Sequence, residues 1–209
     1  MQQTATSGNW LPKDTAPAGN PHMSDRFAQV YELTAHRITA PVSVQALRLA
    51  GPVDAHARIL DIAAGAGALA IPAAFSGASV LAVDIAPGMV NLLSERLKPF
   101  PNAQASAMDG QALAIDDDSF DLAFSIFGVS LFNDWRTGLA EQVRVLRPGG
   151  KACIATWKIP PGGGPFLVMG KAIRAVFPES KPPAPPDGFV TLSDPSRLVT
   201  ELEEAGLVD

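Results

Sequence analysis

The chain has 209 residues, of which 47% are hydrophobic, and a formal net charge of −5. This length and apolar content suit one α/β domain with a sizeable core. The acidic balance, with lysines and arginines scattered along the chain, excludes a basic surface for nucleic acid or an anionic membrane. The single cysteine, Cys153, excludes an internal disulfide bond, and no apolar run is long enough for stable membrane insertion. Because the N-terminus also lacks a secretion signal, we expect a soluble cytoplasmic protein.

The first 23 residues predict an irregular arm, because prolines and small polar residues dominate them, and a domain is expected over residues 24–209. Ser24 predicts a helix N-cap, followed by a helix that carries Phe27 and Tyr31 on one side and breaks at Pro41. A second helix is expected from Pro41 to Leu49.

From residue 58 onwards, short apolar runs alternate with amphipathic segments, a pattern typical of βαβ units and a parallel sheet. The predicted strands cover 58–62, 79–83, 103–107, 120–126 and 151–157, and the predicted helices cover 67–76, 87–97, 136–146 and 166–177. A proline-rich segment over 177–188 predicts a surface connector, part of which we expect in the acceptor wall. A last helix is expected between Ser193 and Gly206.

The stretch ILDIAAGAGALA, residues 59–70, places two glycines directly after the first predicted strand. Gly65 and Gly67 permit positive φ and close approach of a ligand to the backbone, beside the free N–H groups of a helix N-terminus. The string also satisfies the dinucleotide pattern G-x-G-x-x-G/A, so a nicotinamide-dependent oxidoreductase is an alternative. No lysine or arginine lies between Ile59 and Arg96, which excludes a phosphate-binding P-loop.

Three acids follow the predicted strands. Asp84 ends the second strand, where a carboxylate can accept both hydroxyls of a ribose. Asp61, near the tip of the first strand, repels a phosphate but suits an ammonium group. Asp109 follows the third strand and can accept from an adenine amino group, with Met108 or Ile85 covering the ring face. The pattern therefore favours a nucleoside ligand that has an amino-acid tail and no pyrophosphate.

Four blocks, ILDIAAGAG, VLAVDIAPGM, AMDGQALAIDDDSFDLAFSIFG and LRPGGKACIATW, resemble those of class I S-adenosylmethionine-dependent methyltransferases. The chain is most similar to the ubiquinone/menaquinone-biosynthesis-like (methyltransferase type 11/25) group, over about residues 24–207. The resemblance implies a Rossmann-like, doubly wound, mostly parallel α/β sheet with strand order 3-2-1-4-5. The family's usual sixth and seventh strands are absent from this sequence. We therefore expect either a C-terminally incomplete domain or a fifth-strand edge that is covered, for instance in an oligomer.

The resemblance implies S-adenosylmethionine as cofactor. It assigns Asp61, Gly65 and Gly67 to the methionine part, Asp84 to the ribose and Asp109 to the adenine. The other cofactor-binding residues that it implies are Ala63, Ile85, Met89, Met108, Gly110, Ser125, Phe127 and the lid residue Tyr31. Ala63 stands where the family usually has its first glycine, and we expect positive φ mainly at Gly65 and Gly67.

The implied activity is methyl transfer to a small-molecule acceptor, mainly by proximity and orientation in an apolar pocket. A catalytically inactive cofactor-binding fragment is a further alternative. Isolated histidines leave the general base unassigned, and no Cys/His spacing predicts a metal site.

Trp10 and Phe27 are, with Tyr31, candidates for a lid that covers the cofactor. The residues expected at the ligand edge after the fourth strand are Phe127, Phe132, Asn133, Asp134 and Trp135, while residues 116–118 and the acids at 201, 203 and 204 predict solvated surfaces.

Overall fold

The computed structural model describes residues 21–158, 164–179 and 185–208, and its centre is a five-stranded parallel sheet. The strands are β1 (Arg58–Ile62), β2 (Ser79–Asp84), β3 (Ala103–Ala107), β4 (Phe120–Ile126) and β5 (Leu146–Ala155). Their order is β3-β2-β1-β4-β5, and every neighbouring pair is parallel. The predicted fold class and strand order are therefore confirmed.

Helices precede, connect and follow these strands in the described residues. The helices are α1 (Asp25–Leu33), α2 (Ala35–Ala50), α3 (Ala70–Phe75), α4 (Pro87–Leu97), α5 (Trp135–Arg144), α6 (Gly164–Val176), α7 (Asp187–Thr191) and α8 (Pro195–Glu204). Short 3-10 turns lie at Pro21–Met23 and Val129–Leu131. The end of the arm predicted to be irregular thus forms a turn, whereas residues 1–20 lie outside the described residues.

The boundary between the first two helices differs from the prediction. Ser24 caps α1 as expected, since its Oγ accepts a hydrogen bond of 3.2 Å from the Phe27 N–H. The helix ends at Leu33, however, because Thr34 leaves helical geometry with φ −123° and ψ −88°. The predicted break at Pro41 was wrong. Pro41 lies on the exposed side of α2, where water can bond the carbonyl that a proline leaves without a donor.

The proline-rich segment also contains more regular structure than expected. Helix α7 begins at Asp187, within the last two residues of the segment, and Asp187 accepts a hydrogen bond of 3.0 Å from the indole N–H of Trp135. A Cβ on Gly188 would lie 2.7 Å from a ring carbon of Trp135, so α7 packs directly on the start of α5. The prediction that this whole segment is irregular was therefore wrong, although residues 180–184 lie outside the described part of the chain.

The sheet separates two apolar layers. Ile59, Val80 and Phe124 face α2, α3 and α4, whereas Leu60 and Ile62 belong to the opposite layer, which continues under α5 and α8. Each fully buried aliphatic side chain of this kind contributes about 1.5–3 kcal/mol. Strand β1 is thus buried on both faces and forms a rigid base, and its carboxyl end leads into the glycine stretch.

One acid that was predicted to be solvated is buried. Glu201 on α8 is 9% exposed, and its carboxylate accepts hydrogen bonds from Nε and Nη2 of Arg136. The same guanidinium lies 4.0 Å from the ring centroid of Trp135. This paired charge docks α8 on α5 and corrects the prediction of a uniformly solvated helix face.

Three further observations concern the described residues only. Cys153 packs in the apolar layer on β5, and burial raises the pKa of its thiol, so it behaves as a small hydrophobic residue. No described helix has the length and hydropathy needed to cross a membrane. A search of the same residues finds no cluster of His, Cys, Asp and Glu able to hold a metal ion.

Candidate functional site

A cavity of about 220 Å³ opens at the carboxyl ends of the strands, where open parallel sheets bind ligands. Larger hollows of about 360 and 600 Å³ lie at the amino ends, around Ala57 and Ser79. The described residues that line the cavity include no lysine or arginine, so its wall suits a flat neutral ring and not a pyrophosphate. They are Met23, Ala63, Ile85, Met108, Asp109, Gly110, Gln111, Leu131, Phe132 and Asn133.

The glycine turn, residues 63–67, connects β1 towards α3 through three residues with positive φ. These are Ala63 at 58°, Gly65 at 53° and Gly67 at 87°. Positive φ was expected mainly at Gly65 and Gly67, and Ala63 shares it, at a cost of about 1–2 kcal/mol for a residue with a Cβ. A Cβ on Gly128 would lie only 2.4 Å from the Cβ of Ala63, so close packing against the end of β4 holds the strained residue in place.

Side chains of other helices lie close to both glycines of the turn. A Cβ on Gly67 would lie 2.4 Å from Cδ1 of Leu93 on α4. A Cβ on Gly65 would lie 3.3 Å from Cε1 of Tyr31, so the tyrosine ring of α1 lies on the turn. The structure thus brings the predicted lid residue to the predicted loop, while the covering of a cofactor by Tyr31 stays a prediction.

Asp84 joins the end of β2 to the glycine turn. Its Oδ2 accepts a hydrogen bond of 2.9 Å from the Gly65 N–H, and its Oδ1 accepts one of 2.9 Å from the Ala86 N–H. Burial raises the pKa of Asp84, and the two backbone bonds oppose that rise. Because each carboxylate oxygen has a second lone pair, Asp84 can also accept ribose hydroxyls. The sequence had placed the ribose contact here but had not predicted the bond to the turn.

Asp61 is buried inside β1 rather than presented at an open strand tip. It is 2% exposed, and its Oδ2 accepts a hydrogen bond of 3.1 Å from the Ala70 N–H at the start of α3. Desolvation raises the pKa of Asp61 to about 7, with the Ala70 N–H lowering it and the charge of Asp84 raising it. A carboxylate held in this way lacks a compensating cation, and an ammonium group would supply one.

The raised pKa of Asp61 predicts a pH effect on stability. Between its ordinary pKa of 3.8 and about 7, the folded protein holds a proton that the unfolded chain has released. Stability therefore falls as the pH rises through this window, by an amount on the order of 4 kcal/mol. Asp61→Asn retains an oxygen for the Ala70 N–H and cannot ionise. We expect it to exceed the wild type in stability at about pH 8 and to show a flatter pH dependence.

Urea unfolding of both proteins at about pH 5 and about pH 8 measures this difference. Asp84 titrates in both proteins, so the comparison isolates Asp61. Parallel pH dependences for the two proteins would contradict the prediction.

The adenine side of the cavity is built by Asp109 and its neighbours. Oδ1 of Asp109 accepts from the backbone and side-chain N–H groups of Gln111, both at 2.9 Å. Oδ2 makes no hydrogen bond with the described residues and is free for a ligand amino group. A Cβ on Gly110 would lie 2.6 Å from Cζ of Phe132, so this glycine lets the phenyl ring form the wall. Gln111 and Met23 were missed, because nothing in their local sequence marks them as cavity residues.

Met89 and Ser125, two of the predicted cofactor residues that do not line the cavity, have structural partners. Met89 is 5% exposed and packs under α1 against Ala28 and Ala86. Ser125 is completely buried, and its Oγ accepts a hydrogen bond of 3.0 Å from the Val129 N–H. Both side chains therefore support the surrounding fold, and their contact with a cofactor stays a prediction.

Phe127 and Trp157 form a pair that we name the aromatic platform. Their ring centroids lie 4.3 Å apart with an interplanar angle of 21°. Phe127 has a positive φ of 62°, which is unusual for a bulky residue, and its N–H donates to the Ala155 carbonyl at 2.8 Å. Strained residues of this kind cluster at functional sites. Phe127 directly precedes Gly128, whose added Cβ would lie 2.4 Å from the Cβ of the cavity residue Ala63, so the backbone of the platform adjoins the cavity wall.

The remaining candidates at this edge have structural partners or lie outside the described residues. Asp134 caps α5 by accepting from the Thr137 N–H at 3.1 Å and from its hydroxyl at 2.7 Å, and these bonds lower the pKa of Asp134. Phe27 packs edge-on against His22, with ring centroids 4.4 Å apart. Trp10 lies outside the described residues. Asp134 therefore caps α5.

Comparisons with known proteins agree with this geometry. A family model described as "Methyltransferase domain" matches residues 59–150, which include β1, the glycine turn and β4. A demethylmenaquinone methyltransferase of Mycolicibacterium gilvum is 30% identical over 210 residues, covering 91% of this chain and 88% of that protein. This chain belongs to the class I S-adenosylmethionine-dependent methyltransferases.

Two further similar proteins extend the comparison. An uncharacterized protein of Mycobacterium tuberculosis is 33% identical over 155 residues, covering 74% of this chain and 56% of that protein. The methyltransferase chain thus spans little more than half the length of several curated relatives that it matches. The crystal structure of a methyltransferase from Aquifex aeolicus has a TM-score of 0.60 at 20% identity, covering 79% of each chain, and supports the fold.

S-adenosylmethionine, the cofactor of this class, fits the residues present. The cavity wall offers a carboxylate oxygen and apolar faces for the adenine, and Asp84 offers lone pairs for the ribose. The buried Asp61 suits the ammonium group, and a Cβ at either glycine of the turn would press on Tyr31 or Leu93 and so disturb the turn. A phosphate-bearing cofactor finds no matching cation among the lining residues.

Proposed function

We propose that this methyltransferase transfers the methyl group of S-adenosylmethionine to a small-molecule acceptor. The observation that carries the proposal is the set of three carboxylates, Asp61, Asp84 and Asp109, at the ends of three adjacent strands. Asp109 lines the cavity, whose described lining contains no basic side chain, while Asp84 and Asp61 bond the Gly65 and Ala70 N–H groups of the adjoining loop and helix. These three acceptors match an ammonium group, ribose hydroxyls and an adenine amino group, and they disfavour the nicotinamide alternative.

The cofactor, when bound, supplies an electrophilic methyl group on a positively charged sulfur. The chain's own contribution is to orient the reactants and to exclude water from them. Tyr31 shields the glycine turn. Asp61 holds the ammonium group of the cofactor, and Asp84 holds its ribose. Orientation of this kind supplies up to about 7–11 kcal/mol in model reactions, so no proton-transferring residue is required by the proposal.

Calorimetric titration with S-adenosylhomocysteine tests the cofactor assignment, with NADPH as the matched control. We expect binding of the thioether and none of NADPH. Binding of NADPH in the absence of thioether binding would overturn the proposal. Transfer of a radiolabelled methyl group to candidate acceptors then tests the activity itself.

We further propose that the acceptor carries a flat quinone-type ring. Two features support this substrate class. The aromatic platform presents stacked, half-buried rings beside the cofactor cavity. In addition, the Mycolicibacterium gilvum relative is named for demethylmenaquinone. Flat rings gain from offset stacking on aromatic side chains, which a saturated acceptor does not.

Trp157→Leu tests the platform because it removes a ring but keeps an apolar side chain. We expect the KM for a quinone-type acceptor to rise about 10-fold, since an aromatic pair contributes about 0.5–1.5 kcal/mol beyond buried area. The affinity for S-adenosylhomocysteine should stay unchanged. Phe75→Leu, which alters an aromatic ring that is 82% exposed on α3, is the matched control. A loss of cofactor affinity with an unchanged acceptor KM would assign the platform to the cofactor instead.

A further inference from the structure

One arginine joins the glycine turn to the helix that carries Tyr31. Arg96 lies in the last turn of α4, and its Nη1 donates a hydrogen bond of 2.7 Å to the Ala66 carbonyl. The same nitrogen lies 3.1 Å from Oε1 of Glu32 on α1. Ala66 stands between Gly65 and Gly67, so the bond acts at the centre of the left-handed turn.

Helix α4 holds the turn at two adjacent points. Leu93 contacts Gly67, where a Cβ would lie 2.4 Å from Cδ1. Arg96 is three residues further along and therefore lies on the same helix face. An apolar contact and a charge-assisted hydrogen bond thus fix consecutive residues of the turn, and the charged bond is the stronger kind.

Helix α1 meets α4 near both of its ends. A Cβ on Gly88 would lie 2.4 Å from the carbonyl of Ser24, so the start of α1 packs against the start of α4. At the other end, Glu32 pairs with Arg96 and directly follows Tyr31, whose ring lies on Gly65. Any displacement of the Tyr31 end of α1 away from the turn would have to separate Glu32 from Arg96.

We propose that Arg96 is a positioning residue that couples the placement of α1 to the conformation of the glycine turn. This inference rests on the proposed function, because the turn is its cofactor site. Arg96 does not line the cavity, so it acts through the Ala66 carbonyl and through Glu32. The ion pair is partly exposed, with side-chain exposures of 29% and 36%. Salt therefore weakens the Arg96–Glu32 ion pair more than the hydrogen bond from Arg96 to the Ala66 carbonyl.

A double-mutant cycle on S-adenosylhomocysteine binding by the full chain tests the coupling. We expect Arg96→Met to weaken binding about 10-fold and Glu32→Gln about 3-fold. The double variant should bind no more weakly than Arg96→Met alone, because the effect of Glu32 passes through Arg96. Arg96→Lys keeps the charge but not the fork geometry, so it should restore part of the affinity. Arg48→Met, at an exposed site on α2, is the matched control.

The outcomes separate the two proposals. If the wild-type chain does not bind the thioether, the proposed function fails. If the wild type binds and Arg96→Met binds equally well, or if the two substitutions act additively, the coupling is overturned. A purely structural role would lower the melting temperature of Arg96→Met without changing affinity. If Arg96→Met does not fold, Glu32→Gln provides a second test, because it leaves the hydrogen bond to Ala66 intact. Loss of the salt dependence of binding in Glu32→Gln supports the coupling. A salt dependence equal to that of the wild type contradicts it.

Discussion

Replacing Asp84 with alanine is expected to weaken the binding of S-adenosylhomocysteine by at least about 100-fold, since each hydrogen bond to a charged group contributes about 1.5–3 kcal/mol. The substitution removes the acceptor proposed for two ribose hydroxyls. It also leaves the N–H groups of Gly65 and Ala86 without the oxygens that lie 2.9 Å from each of them. Loss of ligand contacts and loss of the turn's shape therefore act in the same direction.

Calorimetric titration measures the effect, and Asp84→Asn separates its two parts. Asparagine keeps one acceptor oxygen, so one backbone N–H of the site retains a partner while the other faces an amide nitrogen. We expect an affinity between those of the wild type and Asp84→Ala. Asp116→Ala, at an exposed acid before β4, controls for the loss of a surface charge. An Asp84→Ala variant that binds like the wild type would refute the assignment.

Gly67→Ala is expected to lower the free energy of unfolding by about 2–5 kcal/mol, the sum of left-handed strain and overpacking. Gly67 has a φ of 87°, and an added Cβ would lie 2.4 Å from Cδ1 of Leu93. Leu93 is 1% exposed and cannot turn away into solvent. The turn must therefore move, and cofactor affinity should fall together with stability.

Gly149→Ala is the matched control for this effect, because Gly149 also has a positive φ, 78°, but no atom within 4 Å of its added Cβ. It should lose only the conformational part, about 1–2 kcal/mol. Urea unfolding of both variants isolates the steric part as their difference. A further variant, Gly67→Ala with Leu93→Ala, should lose less stability than the sum of its single substitutions. Equal losses for the two glycine variants would contradict the proposed clash.

The architecture was predictable because it depends on short-range patterns. Short, largely apolar runs such as residues 58–62 that alternate with amphipathic segments favour buried strands between helices, and β1, β3, β4 and α4 have their predicted bounds. The positions of the acids were predictable because each acid lies at or near the end of a predicted strand, and the carboxyl ends of parallel strands meet at one edge of the sheet. The prediction was weaker at Pro41 and at residues 187–191, where packing and solvent exposure outweigh local propensity.

The sequence by itself therefore determined the parallel α/β class, the glycine turn and the carboxylates near the strand ends, since these follow from periodicity and from the βαβ connection. The order of the strands came from the resemblance of the four sequence blocks to a known family. Only the tertiary structure decided the contacts between residues far apart in the chain. Arg96 meets Ala66 across 30 positions, and Arg136 meets Glu201 across 65. The left-handed φ of Ala63 also depends on the tertiary structure, because close packing against Gly128, after the end of β4, holds Ala63 in that conformation. No local propensity encodes such pairings, since their free energy arises only when packing brings both partners together.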